Sequence, residues 1–208
     1  MTLSPQTVSA RRQQARRREI VDRLLPVVEA RMRELGSYAN LRVDDLLPDA
    51  LLSRSTFYRY FQDKNELLIA LAEPVFHDVR TAAIRPWERR TAPTQAELQA
   101  ELRHTFDLYL PHLPVINALV EASYAAPSVR ALYEGGFAEV QQAVAGHITA
   151  GQQLGFIRSD VLAHETAGWI VWMAERGMAQ LAAGADDAAL ERLAESLSTL
   201  IWRTFYGR

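Results

Sequence analysis

The sequence predicts an all-α protein, with a small N-terminal helical domain ahead of a larger C-terminal one. Three observations carry that expectation. Apolar residues recur three and four apart in every segment long enough to show a period, the spacing of a helix face. No segment alternates apolar and polar residues as a half-buried strand would. Glycine, proline, threonine and aspartate fall where helices start and stop. At 208 residues the chain can bury roughly 70% of its extended surface, enough for a real core. Its 49% hydrophobic and 23% charged content is that of an ordinary globular protein.

Composition also excludes. No apolar run approaches the ~20 residues that cross a bilayer, and Met1–Ala10 lacks the apolar segment of a signal peptide, so no membrane partner is expected. The absence of cysteine rules out disulfides and thiolate metal sites and fits a cytoplasmic location.

The elements follow in order. Residues 1–10 are expected as a disordered tail. Arg11, Arg12, Arg16, Arg17 and Arg18 either open the first helix or form an arm ahead of it. Ile20, Val21, Leu24, Leu25, Val28, Met32 and Leu35 define a helix over 18–35, closed by Gly36, with Pro26 expected to kink it. Val43–Ala50 reads as a short second helix, awkwardly holding Pro48. Leu51–Ser53 is a turn and Arg54–Phe61 a third helix. Asp63 and Glu66 match the capping box of a fourth helix running to about Ile84 past Pro74. Residues 85–93 read as loop. Thr94 and Glu97 repeat the capping pattern for a helix to about Leu110. Pro111 and Pro114 interrupt the chain before a helix over 115–125. Pro127 suits the first position of a long helix closed by Gly155. Within it Gly135–Gly136 is either a bend or a close approach. A further helix is expected from Asp160 to about Ala183, and a last one, capped by Asp186 or Asp187, to Phe205.

The stretch 51–67 carries the most chemistry. Ser53 is the expected N-cap of the third helix. Phe57 and Phe61 share a face that anchors it inward. Arg54, Ser55, Thr56, Tyr58, Arg59 and Tyr60 occupy the other faces, a set suited to phosphate oxygens and base edges, or simply to a solvated surface. Lys64 at the start of the next helix opposes the helix dipole unless an anion lies near. Charge is distributed to match: residues 1–64 hold 12 Lys and Arg against 8 Asp and Glu, the rest 11 against 17. A basic end on an acidic remainder is what a polyanion partner requires.

Arg42–Leu67 resembles the helix-turn-helix of the TetR family of bacterial transcriptional regulators. The likeness is most specific in Ser53-x-x-Thr56-Phe57-Tyr58-x-Tyr60-Phe61-x-x-Lys64-x-x-Leu67. Trp169-x-x-Trp172-Met173-x-Glu175-Arg176 and Ile201-Trp202-Arg203 are further similar to its ethionamide-resistance regulator branch. The resemblance implies that residues 11–66 bind a double-stranded DNA operator and that 67–208 form a domain for dimerisation and effector binding. It implies that Thr56, Tyr58, Tyr60 and Lys64 contact phosphate or sugar, while Arg54, Ser55 and Arg59 face base edges. Arg42 stands where the family has a threonine cap, and is expected to seek a phosphate. Leu51 stands where it has a turn glycine, which demands a backbone a leucine can tolerate. The implied function is a repressor released from a palindromic operator by a small effector, and not an enzyme.

In the C-terminal domain Trp87, Phe106, Tyr109, Tyr124, Phe137, Trp169, Trp172 and Met173 are candidates to line an apolar pocket, although aromatics at helical spacing are commonly plain core. Few polar groups fall among them, so a small apolar effector is expected. Glu175 and Arg176 either orient a ligand or sit as solvated ends at a subunit edge, the commoner arrangement. The last two helices are apolar on more than one side, which calls for a four-helix seam with a second copy. The five histidines are scattered, and neither a phosphate loop nor a metal-ligand cluster is present, so no cofactor or metal is expected. The competing reading is a helical small-molecule-binding or interaction protein without DNA binding.

Overall fold

The computed structural model describes residues 5–207, with side chains from residue 11. Among these, nine α-helices and two 3-10 turns account for all regular structure, which is the all-α class read from the periodicity. The chain forms two compact units. One takes the chain up to Pro74 together with Pro114–Arg130; the other takes Val75–Leu113 and the chain from Ala131.

The first unit begins with α1 (Pro5–Leu35). Residues 1–4 of the expected tail lie outside the described residues, but 5–10 are helical, so the tail and arm readings give way to one long helix. Arginine, glutamine and alanine have high helix propensity and need no apolar stripe to continue a turn. Ile20, Leu24 and Val28 are fully buried from the same helix face. Pro26 lies inside α1 on its exposed side without ending it. Gly36, at φ +69°, terminates it, its N–H bonded to the Met32 carbonyl.

The second helix is shorter than its pattern suggested: α2 covers Val43–Leu46, so Pro48 falls in the turn that follows. That turn ends in a Schellman arrangement, with the Leu52 N–H on the Leu47 carbonyl and the Leu51 N–H on the Pro48 carbonyl, which satisfies two carbonyls the helix leaves free. Then come α3 (Arg54–Tyr60), α4 (Lys64–Ile84), which continues from the first unit into the second, and α6 (Leu113–Ser123). Asp63 accepts from the Glu66 N–H at 2.8 Å. Glu66 returns the bond one residue earlier than a capping box would, to the Gln62 N–H at 2.7 Å.

The second unit contains α5 (Gln95–Tyr109), most of α7 (Pro127–Leu154), α8 (Ala163–Leu181) and α9 (Asp187–Phe205). Residues 85–93, expected as loop, open with a 3-10 turn at Arg85–Glu88. Thr94 and Glu97 complete the reciprocal capping box of α5. Asp186 caps α9 through the Ala189 N–H at 2.7 Å. Asp160 does not start α8; it pairs with Arg158 at 2.5 Å, and the helix begins three residues later. Gly135–Gly136 leaves α7 unbroken. A Cβ on Gly136 would stand 3.0 Å from Phe76 Cδ1, so this glycine permits a close approach rather than a bend.

α5 packs along α9, around a core that includes Trp87, Leu98, Val144, Ile148, Ile201 and Phe205. His147 is buried in this core. Its Nδ1 faces the carbonyls of Trp87 (3.2 Å) and Arg89 (3.1 Å), and its Nε2 lies 2.7 Å from the Tyr206 hydroxyl. Carbonyls only accept, so Nδ1 carries the proton and Nε2 accepts from Tyr206. Burial lowers the His147 pKa against those two carbonyls, which favour the charged form. The folded state therefore binds fewer protons than the unfolded one near pH 6, and stability falls as pH drops below the unfolded value of about 6.5. Urea unfolding at pH 7.5 and 5.5 should show the wild type losing more stability on acidification than His147→Gln; equal losses would mean the histidine is not held neutral.

Candidate nucleic-acid interface and effector site

The site on the first unit is built from the turn upward. Leu51 adopts φ +52°, the left-handed conformation that the missing glycine would have taken, with 84% of its surface exposed. The turn is fastened from α1. Arg23 donates through Nη2 to the Ala50 carbonyl and, at 2.9 Å, to the Leu51 carbonyl. Arg31 reaches Asp49 at 2.9 Å.

Ser53 then caps α3, its Oγ accepting from the Thr56 N–H at 3.1 Å and lying 2.8 Å from the Thr56 hydroxyl. Phe57 and Phe61 are buried, ring centroids 5.3 Å apart, and anchor the helix inward. Ser55, Tyr58 and Arg59 are exposed, and Thr56 and Tyr60 are half-buried. Arg54 is exposed, 3.3 Å from Asp44 and with its guanidinium 5.7 Å from the Tyr58 ring centroid. An exposed pair of this kind is worth roughly 0–1 kcal/mol and opens at little cost. Arg42 is exposed at the start of α2 and makes no side-chain cap. Gln13, Gln14 and Arg17 of α1 line one depression with Arg59, Tyr60 and Glu66, the last paired with Arg17 at 3.5 Å, which brings Arg17 of the basic run onto the same surface.

Lys64 departs from expectation. Its ammonium turns inward and donates to the carbonyls of Tyr38 (3.1 Å), Ala39 (3.1 Å) and Leu41 (3.4 Å), with the Tyr38 ring centroid 4.9 Å away. The Tyr38 hydroxyl donates in return to the Lys64 carbonyl. The mismatch of lysine with the start of α4 is thus resolved by backbone oxygens of the 37–41 loop. From the other side Glu121 of α6 accepts from Ser37 Oγ (2.7 Å) and from the N–H groups of Tyr38 (2.7 Å) and Ala39 (2.8 Å). Burial opposes its ionisation, but those bonds and the Lys64 charge hold its pKa below the usual carboxylate range. Neither Arg23, Tyr38 nor Glu121 was singled out by the sequence, because each acts through backbone groups that no side-chain pattern records.

The C-terminal candidates divide. Phe137 and Trp172 meet, centroids 5.0 Å apart, and Tyr109 is buried in the same unit. Tyr133 and Phe76, not predicted, join them: Tyr133 lies 5.0 Å from Phe137 and 6.0 Å from Trp172, and Phe76 6.0 Å from Phe137. Tyr133 and Phe137 stand four apart on α7, a signal that was available. Phe106 is buried core, and Trp87 packs on His147 and Phe205 instead. Tyr124 is 79% exposed. Trp169 is 78% exposed and Met173 also faces outward. Glu175, expected as a solvated end, is instead only 3% exposed, while Arg176 is exposed. Among the described residues no group of acidic and histidine side chains could hold a metal, and no helix is long and apolar enough to cross a membrane.

The profile of the family described as "Transcriptional regulator EthR, C-terminal domain" matches residues 98–207. The chain is a TetR-family transcriptional regulator of the EthR branch. Over its full length it is 27% identical to the HTH-type transcriptional regulator EthR of Mycolicibacterium smegmatis, of which it covers 97%. It is 30% identical, over 62% of its length and 59% of the relative's, to the HTH-type transcriptional repressor LfrR of the same organism. In fold it resembles the TetR-family regulator PfmR of Thermus thermophilus, with a TM-score of 0.69, 16% identity and coverage of 85% of this chain and 97% of that one. A transcriptional regulator from Saccharomonospora viridis, solved in complex with choline, gives a TM-score of 0.67 at 23% identity, covering 91% and 99%. Regulators of this type are not enzymes.

The left-handed Leu51 costs roughly 1–2 kcal/mol, against about 0.5–1 kcal/mol for the extra unfolded-state freedom of a glycine. Leu51→Gly should therefore leave stability unchanged or raise it by up to ~1 kcal/mol, read as a denaturant midpoint, because so exposed a side chain surrenders little packing. A clear loss would mean the leucine makes contacts that matter.

Proposed function

We propose that the regulator is a repressor that binds a palindromic operator as a homodimer and is released by a small, largely apolar effector in its C-terminal domain, acting in the cytoplasm. The observation that carries the DNA-binding part is the outward set on α3. Arg54, Ser55, Thr56, Tyr58, Arg59 and Tyr60 stand on a helix whose two buried phenylalanines leave those side chains outward or partly outward, engaged only in local contacts such as Arg54 with Asp44. Arg54, Ser55 and Arg59 take the base edges, where an arginine on a guanine is worth ~1–3 kcal/mol of discrimination. Ser53, Thr56, Tyr58 and Tyr60 take phosphates or sugars, and Arg42 a phosphate at the start of α2. Lys64 acts by positioning the loop before α2.

The dimer reading is supported by exposed apolar residues on the last two helices and the residue just before α8: Leu162, Trp169, Met173, Leu181 and Leu200. Leu162, Trp169 and Leu200 line one depression, and exposed apolar surface of this kind marks an association site. Two-fold pairing sets two recognition helices about one DNA turn apart, roughly 34–36 Å. An effector that binds better to a conformer with another spacing shifts the population away from DNA. The effector reading rests on the Phe76, Tyr133, Phe137 and Trp172 rings.

Mobility shifts with DNA upstream of the gene, repeated across salt, test the proposal. Binding should weaken steeply with salt as counterions are released. Arg59→Ala should relax sequence choice, with discrimination falling by the ~1–3 kcal/mol of one base contact. Arg42→Ala should weaken all sequences alike and lower the salt slope by about 1. No shift at any salt would favour the helical binding protein without DNA-binding activity.

A further inference from the structure

Glu175 has no role in the fold or the DNA surface that accounts for its burial. It sits on α8 with almost no surface exposed, and the described hydrogen bond to it, from the Tyr109 hydroxyl, is long at 3.4 Å. None of the described basic side chains forms an ion pair with it. A carboxylate removed from water without a countercharge is costly, and structures retain one only where something compensates. Its surroundings indicate what that is. Trp172 stands one helical turn before Glu175, on the same side of α8. Tyr133 and Phe137 reach the Trp172 ring at 6.0 and 5.0 Å, and Phe76 closes on both from α4, at 6.4 and 6.0 Å. Aromatic faces are negative, so four rings and a carboxylate share one electrostatic preference, for a cation that is itself largely apolar. A neutral apolar molecule would gain from the rings but leave Glu175 uncompensated. An anion would be repelled by all of them. Trp172, 38% exposed, is the ring of this group most open to solvent, and Phe137 beside it is half-buried.

We propose that the effector is an organic cation, a protonated or quaternary amine on an apolar body, whose charge is held by Glu175 and Tyr109 and whose body lies on Trp172, Phe137, Tyr133 and Phe76. This rests on the effector-binding reading above and specifies its ligand class. Glu175 fixes the charge, and the rings tolerate a range of apolar bodies.

The test uses the full chain and two probe pairs matched in shape. Benzyltrimethylammonium is set against neutral neopentylbenzene, and 2-phenylethylammonium against neutral 2-phenylethanol. Binding is followed by tryptophan fluorescence and by the shift in Tm, with operator binding measured in parallel. The cations should bind wild type roughly 10- to 100-fold more tightly than their neutral partners, the ratio expected of a charge-assisted contact. Glu175→Gln should abolish the preference with neutral affinity retained. Tyr109→Phe, which keeps the ring, should lower the preference only in part and serves if the glutamine variant does not fold. Equal affinity for charged and neutral probes, unchanged in Glu175→Gln, would overturn the cation assignment while leaving effector binding intact. Binding of no probe by a protein that still shifts operator DNA would also overturn it, and would leave the DNA-binding reading standing. Loss of operator binding in untreated wild type is the separate result that would remove the regulator reading itself.

Discussion

The loop from Ser37 to Leu41 is held between opposite charges, and the recognition surface depends on how it is held. Lys64, the first residue of α4, donates to three of its carbonyls, and Glu121 of α6 accepts from its N–H groups and the Ser37 hydroxyl. Neither charge meets a counter-ion at bonding distance. Each is satisfied by backbone dipoles, so each fixes the path of the chain as well as its own side chain. Removing either would strand half-buried polar groups at ~1–3 kcal/mol apiece. Because the loop leads into α2, and α2 with its irregular turn leads into α3, a shift at either charge propagates to the outward side chains of α3.

The same economy governs α3 itself. Two aromatic anchors, one serine cap and the fastening of its preceding turn by Arg23 are enough to hold seven residues. The outward or partly outward side chains from Arg54 to Tyr60 are therefore free to be chosen for recognition. Leu51 shows the limit of that freedom. It occupies a glycine conformation because the Schellman bonds on either side require it, and the side chain simply projects into solvent.

Much of this was legible beforehand because helix ends are written in local chemistry. Thr94 with Glu97, Asp186, Pro127, Gly36 and Gly155 mark their boundaries by bonds or dihedral angles that reach only a few residues. The start of α1 was not legible, since an arginine-rich segment can be helical without an apolar face. α8 began later than expected because Asp160 found a partner two residues away. The inward turn of Lys64 and the burial of Glu175 were hidden for a common reason. A charged side chain leaves the same local pattern whether it faces water or the interior, and only its long-range neighbours decide. Leu51 was misread too: its turn was expected to suit a leucine, and it instead holds the left-handed conformation of the glycine it replaces.

The central claim is that α3, so positioned, reads DNA from a two-fold dimer. Hydroxyl-radical footprinting of the full-length protein on DNA selected for tight binding tests it most directly. The account predicts two protected tracts on one face of the duplex, related by a dyad and about one helical turn, roughly 10–10.5 base pairs, apart between centres. A single tract, or protection without a dyad, would contradict it.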